Sequence, residues 1–254
     1  MKTFFAALAA SIGLFFPDHP AHAERNAVAT QTGSANTSQI RQDAETFTNA
    51  GVQQRGTANS GAIVQDVVYY TQALVGQDGI ANSARLAQSH VGHIHVSALQ
   101  SGSANQADMT QREGCHYSSA RLTQIGTGNT AAVRQHYYLA FSQVRIAQSG
   151  HANRATASQF DSERTDLAVS QSGAGNSASS EQDGVQNNSA IVQHGTNNVV
   201  VQSQSVGGNE LDILQTGSSN QAGVRQVGQA PYGDRFMAAL AQTGVANLAG
   251  VHQY

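Results

Sequence analysis

The 254-residue chain has no tryptophan, one cysteine and a single lysine, Lys2. Beyond residue 20 its only proline is Pro231. The lone Cys115 excludes an internal disulfide framework and is expected to remain a plain thiol. A net charge of −3 gives no electrostatic reason to bind nucleic acid or anionic lipid. No apolar run reaches the roughly 20 helical residues that span a bilayer. Large aliphatic residues are sparse, whereas a globular domain of this length buries a thick core of Leu, Ile, Val and Phe. What remains is rich in Gln, Asn, Ser, Ala, Gly and Thr. Such a composition suits either disorder or a thin repetitive core, and periodicity separates the two.

The first 23 residues stand apart. Lys2 precedes the apolar run "FFAALAASIGLFF" (residues 4 to 16), and Ala21 and Ala23 form a small-x-small pattern. A basic start, about a dozen apolar residues and such a site describe a secretory signal cleaved after Ala23. The repeat domain is then expected to run from 24 to 254.

Aligning the remainder on Q-x-G-x-x-N yields ten copies. Each opens on a glutamine: Gln31, Gln54, Gln77, Gln100, Gln124, Gln148, Gln171, Gln193, Gln215 and Gln242. Two residues on stand Gly33, Gly56, Gly79, Gly102, Gly126, Gly150, Gly173, Gly195, Gly217 and Gly244. Five residues on stand Asn36, Asn59, Asn82, Asn105, Asn129, Asn153, Asn176, Asn198, Asn220 and Asn247. Eleven residues on, a second glutamine closes each copy: Gln42, Gln65, Gln88, Gln111, Gln135, Gln159, Gln182, Gln204, Gln226 and Gln253. The eleven-residue interval never varies, while the interval to the next copy varies between 11 and 16. One turn is therefore of fixed length and the other tolerates insertion. Between 182 and 193 the pattern also fits in a second register, on Gln182, Gly184, Asn187, Ser189 and Gln193.

Gly and Asn enter the left-handed backbone region most cheaply, so G-x-x-N between glutamines is expected to form a tight arc. The flanks alternate with period two, as in Ser142-Val144-Ile146 before an arc and Ala131-Val133-Gln135 after one. That is the signature of half-buried strands. Strand, arc, strand and looser turn make a rung of about 22 residues, which cannot bury its inner face alone and must stack at about 4.8 Å on its neighbours. The expected fold is all-β, a stacked strand-arc-strand solenoid of about ten rungs with cross-β geometry. Equivalent Gln and Asn side chains then form columns in which each amide donates to one neighbour and accepts from the other.

The pattern S-x5-Q-x-G-x-x-N-x-A-x3-Q resembles the curlin repeat, the unit of the bacterial functional amyloid curli. "SQVRIAQSGHANRATASQ" (142 to 159) matches every position of it, and the terminal "HQY" is similar to the end of curlin subunits. The resemblance implies a structural subunit of an extracellular fibre on a Gram-negative surface, used in adhesion and biofilm matrix, with no catalysis. It also implies partners: copies of the chain itself, a nucleating minor or major curlin subunit, and an outer-membrane secretion channel. The chain has more repeats than familiar curlins. It also lacks their polar targeting segment, since Ala27, Ala29 and Gln31 follow almost directly on the cleavage site. Its last motif is expected to present an open sticky edge, because soluble solenoids finish on a polar cap.

Other chemistry is weaker. His90, His93 and His95 cluster, and His93 and His95 are expected to share one outward strand face. No carboxylate or Cys stands at ligand spacing, so a solvated face is favoured over a metal site. Cys115 and His116 are adjacent, and neighbouring strand residues point apart, which disfavours a nucleophilic pair. The reading therefore assigns no catalytic residue, cofactor or metal. Outward Asp43, Asp66, Asp78 and Asp183 are expected to slow premature assembly. The main alternative is a soluble β-solenoid that binds a surface, of the adhesin or ice-binding type. It calls for a regular outward array, and the outward residues here change from rung to rung. A β-helix lyase or hydrolase would need charged residues gathered on matching rungs.

Overall fold

The computed structural model describes residues 12–15, 25–43, 46–228 and 236–254. Most of the expected signal segment lies outside the described residues, as does the insertion holding Pro231. Twenty strands form one continuous parallel arrangement, and the described residues contain no helix.

β1 (Ile12–Phe15) precedes ten rungs. Rung 1 is β2 (Arg25–Ser34) and β3 (Thr37–Asp43). Rung 2 is β4 (Thr46–Thr57) and the first half of β5 (Ser60–Ile80), whose second half opens rung 3. Rung 3 closes with β6 (Ser83–Gly92), and rung 4 is β7 (His95–Ser103) with β8 (Gln106–Arg112). Rung 5 is β9 (Ser119–Thr127) with β10 (Thr130–His136), and rung 6 is β11 (Gln143–His151) with β12 (Arg154–Glu163). Rung 7 is β13 (Asp166–Ala174) with β14 (Ser177–Val185), and rung 8 is β15 (Asn188–Thr196) with β16 (Val199–Val206). Rung 9 is β17 (Asn209–Ser218) with β18 (Gln221–Gly228), and rung 10 is β19 (Phe236–Val245) with β20 (Leu248–Gln253).

Each strand pairs with its equivalents in the rungs above and below, never with the other strand of its own rung. Two parallel sheets result, face to face across a narrow core. The registers superpose the repeat: Gln124 pairs with Gln148 and Gly126 with Gly150 in one sheet, Gln135 with Gln159 in the other. Insertion between copies is absorbed in the second turn, where it shifts the β12–β14 register between Phe160 and Ser162 and leaves the glutamine ladders aligned. β1 runs parallel to β3 along its outer edge, Ile12 beside Ser38 and Phe15 beside Arg41.

The register left open between 182 and 193 is resolved. Gln182 stacks between Gln159 and Gln204, so it closes rung 7 and Gln193 opens the arc of rung 8. The second turns of rungs 7 and 8 are nevertheless built like the first ones. Asn187 and Asn209 bond side chain to side chain at 2.9 Å, and each donates to the carbonyl four residues earlier. The second turn is not uniformly looser.

Alternation carries the core. Val52, Val75, Leu122, Ile146, Val169, Ile191 and Ile213 stack in one sheet against Ile63, Leu86, Met109 and Val133 in the other, all buried. Polar residues interrupt it in places: Ser180 donates to Gln202 within the core, and among the described residues the Gln202 Nε2 and the buried Ser38 and Ser189 hydroxyls have no partner. A separate small cluster of Val68, Val91, Ile94, Cys115 and Leu139 fills the space beneath the second turns.

Candidate functional site

Three columns of amides run through the interior. In the first, each arc-opening glutamine donates Nε2–H to the Oε1 of its equivalent in the next rung, Gln31 to Gln54 at 2.8 Å and so on to Gln215 to Gln242 at 2.8 Å. The remaining N–H of each acceptor in this series goes to a backbone carbonyl of the facing strand, as from Gln124 to Gln106 at 2.9 Å. The second column, Gln42 through Gln253, repeats the glutamine-to-glutamine bonds, with spacings from 2.5 Å (Gln111 to Gln135) to 3.1 Å (Gln88 to Gln111). Its remaining N–H goes from Gln65 to the Thr71 hydroxyl and, from Gln159 onward, to backbone carbonyls. A buried amide left unpaired is costly, and the columns give every interior glutamine oxygen a donor and every interior amide an acceptor.

The asparagine column runs the other way. Asn59 Nδ2 donates back to Asn36 Oδ1 at 3.2 Å, and the series ends with Asn247 donating to Asn220 at 2.8 Å. Each amide also holds its own arc shut, as Asn129 donates to the carbonyl of Ile125 at 3.2 Å and to that of Gly150 in the next rung at 3.1 Å. This corrects the expectation that Asn supplies the left-handed residue. That conformation belongs to the preceding position, with φ of 54° at Ala35, 58° at Ala58 and 56° at Ala81. Asn contributes its side chain, because only an amide of that length reaches both carbonyls. The glycine two residues after each Gln lies at φ between 100° and 121°. A Cβ built there would run into the carbonyl oxygen of the next glycine in the column, so rung spacing requires Gly.

At the two ends the columns are complementary. Gln31 Oε1 and Gln42 Oε1 are buried and have no hydrogen-bond partner among the described residues. Gln242 and Gln253 each donate once to a backbone carbonyl, of Gln221 at 2.9 Å and of Met237 at 3.2 Å. Every lower rung sends the second N–H to the next glutamine; no described residue takes it from these two. Ala27, Ala29, Ala238, Leu240 and Val251 are half-buried at these ends, in columns that are otherwise buried.

The second turns carry a feature that the repeat alone did not disclose. Phe47, Tyr70, His93, Tyr117 and Phe141 stack in one column, with ring centroids 5.0, 4.9, 4.7 and 5.3 Å apart. Arg164 continues it, 6.0 Å above the Phe141 ring. All six lie at φ between 47° and 55°, a region that disfavours bulky residues by about 1–2 kcal/mol each. Stacked pairs are worth about 0.5–1.5 kcal/mol, enough to offset much of that strain. The sequence did hold a signal: every Phe and Tyr between residues 25 and 228 falls between a closing Gln and the next opening one.

His93 therefore does not share a face with His95. It occupies the turn, whereas His95 begins β7 and bonds Gln72 at 3.0 Å. His90 is exposed beside Ser89, at 2.9 Å. Among the described residues no three His, Cys, Asp or Glu side chains converge. Cys115 is buried, donates to the Arg112 carbonyl at 3.1 Å, and burial pushes its pKa up to about 12. The His116 Nδ1 meets the Tyr69 hydroxyl at 3.0 Å, away from the thiol. Asp43 and Asp66 stand in register on neighbouring rungs. Burial, then the neighbouring Asp161, raises the Asp183 carboxyl above its ordinary range.

Fold and site together define a repeat protein, a two-sheet parallel β-solenoid of about ten rungs closed by internal amide columns. No protein-family model matches the chain, and no curated protein matches it.

Proposed function

We propose that this chain is a structural subunit that polymerises by stacking rung 10 of one copy on rung 1 of the next, in a curlin-like extracellular amyloid fibre. The observation that carries the reading is the pairing of buried, unpartnered acceptors on Gln31 and Gln42 with available donors on Gln242 and Gln253. Stacked in register, Gln242 meets Gln31 and Gln253 meets Gln42, while Asn36 of the added copy donates to Asn247. Leu240 then covers Ala29, and Val251 covers Ile40. Cleavage after Ala23 frees the β3 edge along which β1 lies. An in-register parallel stack with amide columns is the geometry of cross-β fibres.

The resemblance to the curlin repeat adds the setting: export on a signal segment, passage through an outer-membrane channel, nucleation by a partner curlin subunit, and a role in adhesion and biofilm matrix. The role is structural, with no catalysis or cofactor.

The test is assembly. Residues 24–254 diluted from denaturant should give thioflavin-positive fibres with a meridional reflection near 4.7–4.8 Å. A stable monomer that never seeds would overturn the reading and favour a soluble surface-binding solenoid.

A further inference from the structure

The outward face of the sheet holding β11, β13, β15 and β17 carries a shallow groove of about 280 Å³. Ala168 and Ala190 line its middle, Arg145 one end and Asp212 the other. These four occupy one column, since Arg145 registers with Ala168, Ala168 with Ala190, and Ala190 with Asp212. Arg121 extends the positive end by one rung. Arg145 and Asp212 stand three rungs, or about 14 Å, apart at the usual strand spacing, too far to pair within one chain. Arg145 donates instead to its half-buried neighbour Gln143 at 2.7 Å. The adjoining column holds Ala147, Ser170, Val192 and Leu214.

We infer that this face docks on the same face of a second copy, with the two solenoid axes antiparallel. The operator is a twofold axis lying along the strands between rungs 7 and 8. It returns each column to itself and reverses the order of rungs, so the contact is isologous. Arg145 lies over Asp212 of the second copy at both ends, and Ala168 lies over its Ala190. Parallel axes would bring arginine to arginine and aspartate to aspartate at equal heights, and like-charge juxtaposition opposes that pairing. The small alanines allow the sheets to approach closer than the usual separation of about 10 Å, with Val192 and Leu214 supplying apolar contact.

Area decides when the contact forms. Four rungs by three outward residues cover roughly 380 Å² per copy at ordinary strand dimensions. That falls short of the roughly 800 Å² per partner of a stable isolated interface. A filament repeats the patch once per subunit, and repeated contacts add as avidity. The pairing thus rests on the filament reading: single copies stay apart and filaments join laterally.

The experiment uses residues 24–254 carrying Arg145→Asp, Asp212→Arg, or both, assembled at low salt. Negative-stain microscopy counts paired and single filaments, and thioflavin kinetics report growth. Each single variant sets like charges against each other at both ends, so the paired fraction falls about tenfold or more while growth is unchanged. The double variant restores pairing, because the exchanged charges again meet opposite charges across the contact. Filaments whose pairing ignores the single changes, or stays lost in the double variant, overturn the docking alone. A parent chain that forms no filaments overturns the filament reading, and the docking falls with it.

Discussion

Gln124 donates its side-chain N–H to Gln148 at 2.9 Å, across 24 residues of sequence and one rung of structure. It also accepts from Gln100 and donates to the Gln106 carbonyl. Gln124→Ala leaves a donor, an acceptor and a carbonyl buried without partners. At about 1–3 kcal/mol for each of the three unsatisfied groups, the expected loss is roughly 3–9 kcal/mol. The urea midpoint should drop accordingly, and a change under about 1 kcal/mol would mean that the column is not a principal source of stability.

Two glycines separate spacing from composition. Gly126 lies at φ 113°, and a Cβ there meets the Gly150 carbonyl oxygen; Gly223 has nothing within 4 Å. Gly126→Ala should therefore block stacking of rung 5 on rung 6 and destabilise by about 3 kcal/mol or more. Gly223→Ala should stay within about 0.5 kcal/mol of the parent. Thermal melts of the two variants side by side provide the check, and equal effects would contradict the geometry.

Tyr117 is stacked on both faces, by His93 and by Phe141. Tyr117→Ala removes two stacked pairs and keeps the left-handed backbone, for an expected loss of about 1–3 kcal/mol. Tyr117→Gly relieves the backbone strain as well, so it should be the more stable of the two by about 1 kcal/mol. The reverse order in chemical denaturation would show that φ at this position costs nothing.

The Ser180–Gln202 pair is the place to gain stability. Gln202 Nε2 is buried without a partner, whereas the same column holds Met109 and Val133 in lower rungs. Replacing both, as Ser180→Ala with Gln202→Leu, removes the unsatisfied group together with the hydroxyl that bonds it. A gain of about 1–3 kcal/mol follows. A lower melting temperature in the double variant would count against this account of the defect.

Cys115 links stability to alkaline pH. Its thiol rises from 9.0 to about 12 on folding, chiefly through burial. The unfolded chain releases this proton first, so the linked stability is whole below pH 9 and is lost as pH climbs through about 12. The parent should weaken across that window relative to Cys115→Ala, which has no thiol to ionise. Parallel pH titrations of the two would settle the sign, and equal slopes would refute the linkage. Below pH 9 the folded thiol should also react slowly with alkylating reagents, because the thiolate is the nucleophile.

Much of this architecture was legible in the chain itself, because a repeat writes the same local physics ten times. Period-two alternation around Val144 and Ile146 marked strands, and the invariant eleven-residue interval between glutamines marked a turn of one geometry. The columns of Gln and Asn followed from stacking, since equivalent residues of identical rungs must superpose. The division of labour within an arc did not follow. Gly is required by the carbonyl of the next rung, and Asn by two carbonyls it bridges, one of them 20 residues away in sequence. Neither constraint exists until rungs are stacked.

The second turns show the same boundary from the other side. Their variable length announced tolerance, and their aromatic residues were plain to read. Only stacking brought Tyr70, His93 and Tyr117 into one column, because rings at unequal sequence spacings become neighbours when the rungs beneath them align. The groove between Arg145 and Asp212 likewise joins charges 67 residues apart that no local pattern connects. Sequence alone determined the rung, through alternation and turn chemistry that act within about 20 residues. The contacts between rungs, and with them the free donors and acceptors at either end, were decided by the tertiary stack, where hydrogen bonding runs perpendicular to the chain.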